Sequence, residues 1–96
     1  MKNRYILVVD DDKDYAALTA ETLRNAGFCV DVAWNHRSAL RLMKDGVRRF
    51  DLVVTDVMMD YLSEGFDLAR SLRNDPKTHE VPIVLLTGVR EVYDVA

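Results

Sequence analysis

Apolar residues recur along the chain in two alternating periods. Tyr5-Ile6-Leu7-Val8-Val9 is an unbroken apolar run rich in β-branched residues, the pattern of a strand covered on both faces of a parallel sheet rather than of a half-solvated hairpin strand. It ends on Asp10-Asp11-Asp12. From Asp14 to Ala26 the period turns helical: Tyr15, Leu18, Thr19, Thr22 and Leu23 fall on one stripe, and Gly27 stands in the C′ position that ends helices. Phe28 to Trp34 alternates as a second strand, Asn35 reads as a turn, and Ser38 to Lys44 is a short helix carrying Ala39, Leu40 and Met43 before Gly46. A third strand, Asp51 to Thr55, again ends on a carboxylate, Asp56. After a loop from Val57 to Ser63, a helix runs from about Glu64 or Gly65 to Arg73 on Phe66, Leu68, Ala69 and Leu72, and Asn74-Asp75-Pro76 terminates it. Val81 to Thr87 is the fourth strand, its Pro82 near the entry where a missing amide donor does least harm. Gly88 closes it, and Val89 to Ala96 has room for about two helical turns. Strands alternating with helices predict right-handed crossovers and an α/β fold: a doubly wound parallel sheet covered on both faces.

Composition narrows the function classes. The 96 residues, 49% of them hydrophobic, suit one compact domain over 1–96, since a chain of this size buries roughly 60–70% of the surface its unfolded form exposes. A second independent domain does not fit. Thirteen Lys and Arg against 16 Asp and Glu give a net charge of -3. With no run of five like charges, neither nucleic acid nor an anionic membrane is expected as a partner recognised by bulk charge. Cys29 is the only cysteine, which excludes an intramolecular disulfide and a multi-thiolate metal cluster and fits a reducing, cytoplasmic compartment. The run Tyr5 to Val9 is far too short to span a membrane and leads into carboxylates, so neither a span nor a cleaved leader is expected there.

Function must therefore sit in a local site, and the strand ends supply one. In an open α/β sheet, ligands bind beyond the carboxyl ends of the strands, near the switch in strand order. Strand one delivers Asp10 and Asp11 to that edge, strand three delivers Asp56 and strand four delivers Thr87. Carboxylates crowded together raise one another's pKa unless a cation joins them. Mg²⁺, which takes oxygen ligands and commonly binds through one or two carboxylates, waters and a phosphate oxygen, answers that need. With its charge partly offset, the Asp56 carboxylate is able to attack phosphorus and form an acyl phosphate, while the Thr87 hydroxyl holds an incoming phosphoryl oxygen.

Three segments carry a resemblance. Ile6-Leu7-Val8-Val9-Asp10-Asp11, Val53-Val54-Thr55-Asp56-Val57-Met58-Met59 and Val81-Pro82-Ile83-Val84-Leu85-Leu86-Thr87-Gly88 resemble, in order and spacing, the receiver domain of two-component response regulators, over nearly the whole chain. The resemblance implies the flavodoxin-like receiver fold, a phosphoacceptor at Asp56 and a switch hydroxyl at Thr87. It also implies Mg²⁺ held by Asp11, Asp56 and the backbone carbonyl of Met58, with Asp10 contributing through bound water. The implied phosphoryl donor is a histidine kinase or phosphotransfer protein, and the domain catalyses only its own modification.

Departures from the family pattern qualify the expectation. Asp60 stands where a Pro usually follows the phosphorylated Asp, and Glu64-Gly65 replaces an Asp-Gly pair and falls one residue late. The Lys that ends a fifth strand, and the last β-α unit, are not in these 96 residues. A receiver incomplete at its C-terminus would leave strand four as a bare edge and part of the first helix face uncovered, which predicts a homodimer, exchanged elements or a covering partner. The rival reading is a degenerate receiver that serves as an interaction or dimerisation module. A phosphohydrolase with an aspartyl nucleophile is disfavoured, because Met58 occupies the position of its acid/base Asp. The other polar and aromatic residues have plainer readings. Asp12 suits the cap of the first helix, His36 and His79 read as surface loop residues, Cys29 as an inert buried thiol, Trp34 and Tyr5 as packing residues, and Arg48-Arg49 as a solvated turn.

Overall fold

The computed structural model describes residues 3–45, 49–56 and 64–86, the side chains of 64–67 excepted. Its elements alternate as the periodicity predicts: β1 (Tyr5–Val9), α1 (Lys13–Asn25), β2 (Cys29–Ala33), α2 (His36–Lys44), β3 (Leu52–Asp56), α3 (Glu64–Asn74) and β4 (Ile83–Leu86). All strand pairs are parallel, in the order β2-β1-β3-β4. The chain steps from β1 to β2 in one direction and then crosses back over β1 to β3. With right-handed crossovers that reversal puts α1 on one face and α2 and α3 on the other.

Two apolar clusters, one on each face, follow from the alternation of β1. Ile6 and Val8 meet Ala16 and Ala20 of α1, with Val30 and Val54 beside them. Leu7 and Val9 point the other way, into Ala39 of α2, Leu68 and Leu72 of α3, Phe50 and Val53. The predicted double-sided burial of the first strand is therefore met, Ile6 to Val9 all being buried.

The α1 stripe differs from expectation. Its buried residues are Ala16 and Ala20, whereas Leu18 is 58% exposed. The helix lies close to the β1 and β2 ladder, where small side chains permit the approach, so residue size selected the buried face more than hydrophobicity did. Asp12 is its N-cap, its carboxylate accepting the Tyr15 amide at 3.0 Å. Gly27 follows with φ +101°, the left-handed conformation that makes glycine the residue of choice there. Helix α2 begins two residues earlier than predicted: Asn35 is its N-cap, accepting the Ser38 amide at 2.7 Å, and His36 belongs to the helix.

Three further expectations shift. Cys29 is half-buried, Trp34 is 49% exposed, and β4 is shorter than the apolar run from Val81. On the edge strand β2, the Arg24 guanidinium donates to the Val30 carbonyl at 2.8 Å. No helix among the described residues is long and apolar enough to cross a membrane. The tail from Val89 lies outside the described residues.

The two leucines give opposite expectations. Leu7→Ala, at a fully buried position, should cost about 2–5 kcal/mol in urea unfolding. Leu18→Ala, on the exposed side of α1, should change stability by less than about 0.5 kcal/mol.

Candidate functional site at the carboxyl ends of the strands

Strand register brings the acids together. Val9 pairs with Thr55, so one step onward Asp10, just past β1, comes level with Asp56, the last residue of β3. Asp56 is itself in register with Leu86 at the end of β4. This is the point at which the strand order reverses, the place where α/β sheets bind ligands.

Asp10 is the most constrained of the group. It is only 3% exposed, its backbone amide donates to the Ala33 carbonyl at 3.0 Å, and its Oδ1 accepts the Asp12 amide at 3.0 Å. Burial pushes its carboxyl above the ordinary carboxylate value. The Asp12 amide opposes that shift, while the charges of Asp56, Asp11 and Asp12 add to it. Asp11 and Asp56 are half-buried. The residue before Asp56, Thr55, is fully buried, and its hydroxyl donates to the Asp56 carbonyl at 3.3 Å, which ties the end of β3 to the core.

The donors are of the right kind for a hard divalent ion: carboxylate oxygens whose mutual repulsion a cation would relieve. Among the described residues, no group of three or more His, Cys, Asp or Glu side chains is gathered closely enough to form a metal cage by itself. Of the expected site, Asp10, Asp11 and Asp56 are brought to one edge. Met58 and Thr87, together with Met59 and Asp60, lie outside the described residues.

One pair at this edge escaped the sequence reading. Val9 pairs with Ala33 in β2, so Trp34 comes level with Asp10, and Lys13, at the start of α1, holds its Nζ 4.8 Å from the indole centroid. This cation–π contact sets a positive charge near the acids. No local signal marks the pair, because Trp34 reaches the level of Asp10 only through the β1–β2 register.

Comparison with known proteins agrees with this geometry. Residues 6–96 match the family model described as the response regulator receiver domain. The chain is 40% identical over 83 residues to the transcriptional regulatory protein CpxR of Escherichia coli (strain K12), covering 86% of this chain and 33% of that protein. It is 37% identical over 89 residues to the regulatory protein VanRc of Enterococcus gallinarum, covering 93% of this chain and 36% of that one. The chain thus spans about a third of the length of these curated relatives. Among solved structures, the chemotaxis response regulator CheY4 of Vibrio cholerae superposes with a TM-score of 0.79 at 30% identity, over 94% of this chain and 72% of that one.

The raised carboxyl of Asp10 has a sign that thermal melts can read. Because the folded state holds this proton more tightly than the unfolded chain, the group's favourable contribution is complete below the unfolded pKa and is lost as pH rises through the folded value. Asp10→Asn, which keeps an acceptor for the Asp12 amide, should raise Tm by a few degrees near neutral pH. The difference should vanish in acid, below about pH 3.9.

Proposed function

The chain belongs to the response-regulator receiver family, and on that premise we propose that residues 1–96 form a phosphoacceptor unit of a two-component phosphorelay, modified on Asp56. The observation that carries the proposal is the juxtaposition of Asp10 and Asp56 at the strand-order switch, close enough that the charge of one raises the pKa of the other. A site that concentrates negative charge beside one nucleophilic carboxylate suits phosphoryl chemistry assisted by a hard cation.

The donor is the phosphohistidine of a histidine kinase or phosphotransfer protein. An Asp56 carboxylate oxygen forms the new O–P bond as the N–P bond breaks, and the imidazole takes up a proton as it leaves. Asp11, Asp56 and the Met58 carbonyl are the residues that would hold Mg²⁺, with Asp10 acting through water. When bound, the ion neutralises charge on the carboxylates and on the transferring oxygens. The chain's own residues position the reaction. Thr55 anchors the Asp56 backbone to the core, and the Asp12 amide fixes Asp10. The Thr87 hydroxyl binds a phosphoryl oxygen of the product, and the loop that follows passes the change to a second conformation or association state. The unit turns over no external substrate beyond its own phosphoryl donor, and a cytoplasmic setting suits such a relay.

Intact-mass measurement tests the assignment. With acetyl phosphate and Mg²⁺ the chain should gain a single phosphoryl group, and Asp56→Asn should gain none. Failure of the unaltered chain to be modified would favour the rival reading, an interaction module without phosphorylation. Mg²⁺ at a hundred times its Kd should add about 2.7 kcal/mol to the unfolding free energy. EDTA should remove that increment, and Asp11→Asn should largely abolish it.

A further inference from the structure

The opposite end of the sheet carries a second, differently charged feature. Where α2 ends, β3 begins and the turn from α3 enters β4, a cavity of about 320 Å³ opens. Another of about 240 Å³ shares Arg49, Phe50, Lys77 and Val81 as wall residues. Of these two, the first reaches the roughly 300–1,000 Å³ typical of small-molecule sites.

Its lining divides into two chemistries. Met43, Phe50 and Val81 form an apolar wall, and Phe50 is nearly fully buried. Lys44, Arg49 and Lys77 supply three cations around it, in a chain whose net charge is -3. Lys44 has Asp75 at 3.9 Å. Arg49 and Lys77 are exposed, and among the described residues neither side chain has an ion-pair partner. The wall of the second cavity also holds two acids: Asp51, which accepts the Tyr5 amide at 2.9 Å, and Glu80, 3.7 Å from His79. Arg49 and Lys77 thus carry their charges without a direct ion pair, at the far end of the sheet from Asp10 and Asp56.

The turn that frames the cleft is braced. Arg73 donates to the carbonyls of His79 and Val81 at 2.6 and 2.7 Å. The buried Thr78 hydroxyl donates to the Leu72 carbonyl at 2.7 Å, and the Lys77 amide donates to Asp75 Oδ1 at 2.9 Å. Backbone held this way needs little ordering when a ligand arrives, which lowers the cost of binding.

We propose that this cleft binds a small amphipathic anion, its flat apolar body against Phe50, Met43 and Val81 and its phosphate or carboxylate head between Arg49 and Lys77. Charge-assisted contacts of that kind are roughly twice as strong as neutral hydrogen bonds, and the apolar wall selects against a simple inorganic ion.

Titration of the ¹⁵N-labelled chain by NMR tests the proposal, with 2-naphthyl phosphate, 2-naphthoate, inorganic phosphate and the neutral 2-naphthylmethanol as probes. Saturable shifts are expected at the amides of Phe50, Thr78 and Val81 with at least one aryl anion, and the tighter of the two identifies the head group. The double variant Arg49→Ala, Lys77→Ala should bind about tenfold more weakly, as expected for loss of two charge-assisted contacts. Higher salt should weaken binding to the unaltered chain in the same direction. Both replaced side chains are exposed, so an unchanged Tm will show that the variant is folded. Four results would overturn the proposal: no saturable shift, shifts centred on Val84 and Leu85 of β4, equal affinity in the double variant, or equal affinity for the neutral or inorganic probe.

Discussion

The parallel ladder between β1 and β3 is the constraint on which the rest of the molecule depends. Its register sets Val9 beside Thr55, and every property of the acidic edge follows from that alignment. A one-residue slip would turn each β1 side chain to the opposite face. Leu7 would then meet the small residues of α1, and Asp10 would no longer stand level with Asp56. The apolar alternation that fills the two cores is thus also what assembles the polar site. Fold and candidate chemistry share one determinant, which explains how a cluster of like charges persists at the end of a strand buried on both faces. The core that holds the strand in place outweighs the repulsion at its tip.

Around that ladder, the two ends of the sheet differ in character, one acidic and the other of mixed charge. At the carboxyl ends, side chains leave the strands just as the apolar pattern stops, and Asp10, Asp11 and Asp56 inherit the exit positions. At the amino ends, α2 and α3 finish with basic residues, Lys44 and Arg73, as favoured by the negative ends of helix dipoles. Arg73 is drawn inward to brace the turn before β4, whereas Lys44 remains on the cavity rim. The polarity of the molecule thus reflects the direction shared by its helices, all of which run antiparallel to the strands they cover in a right-handed β-α-β arrangement.

Much of this was legible in the residues, because the strongest signals are periodic and local. The runs at Tyr5 and Leu52 announce strands, the caps at Asp12 and Gly27 bracket α1, and acids following two strands mark the edge where they meet. What was not legible depends on distance across the fold. Leu18 looked like a core residue on its helix because hydrophobicity ranks it above Ala16 and Ala20, and only the closeness of the sheet reverses that order. Asn35 looked like a turn because an N-cap and a turn use the same side-chain chemistry. Trp34 was assigned to packing because nothing local indicates that Lys13, 21 residues earlier, lies over its ring. The cationic cleft was invisible for the same reason: Lys44, Arg49 and Lys77 come from three separate segments, and Arg49 read alone is an ordinary surface charge.

The hydrogen bond from Arg24 to Val30 has a consequence for colloidal behaviour. In β2 the amide of Cys29 and the carbonyl of Ala33 face β1, so by alternation the carbonyl of Val30 faces away from it, toward the open side of the sheet. An outward carbonyl on an edge strand invites another chain to extend the sheet. The guanidinium occupies that acceptor and places a charge and a bulky side chain where an incoming strand would begin to pair. Arg24 thus shields the edge strand in the way charged residues on sheet edges do, through a contact that lies outside both apolar cores.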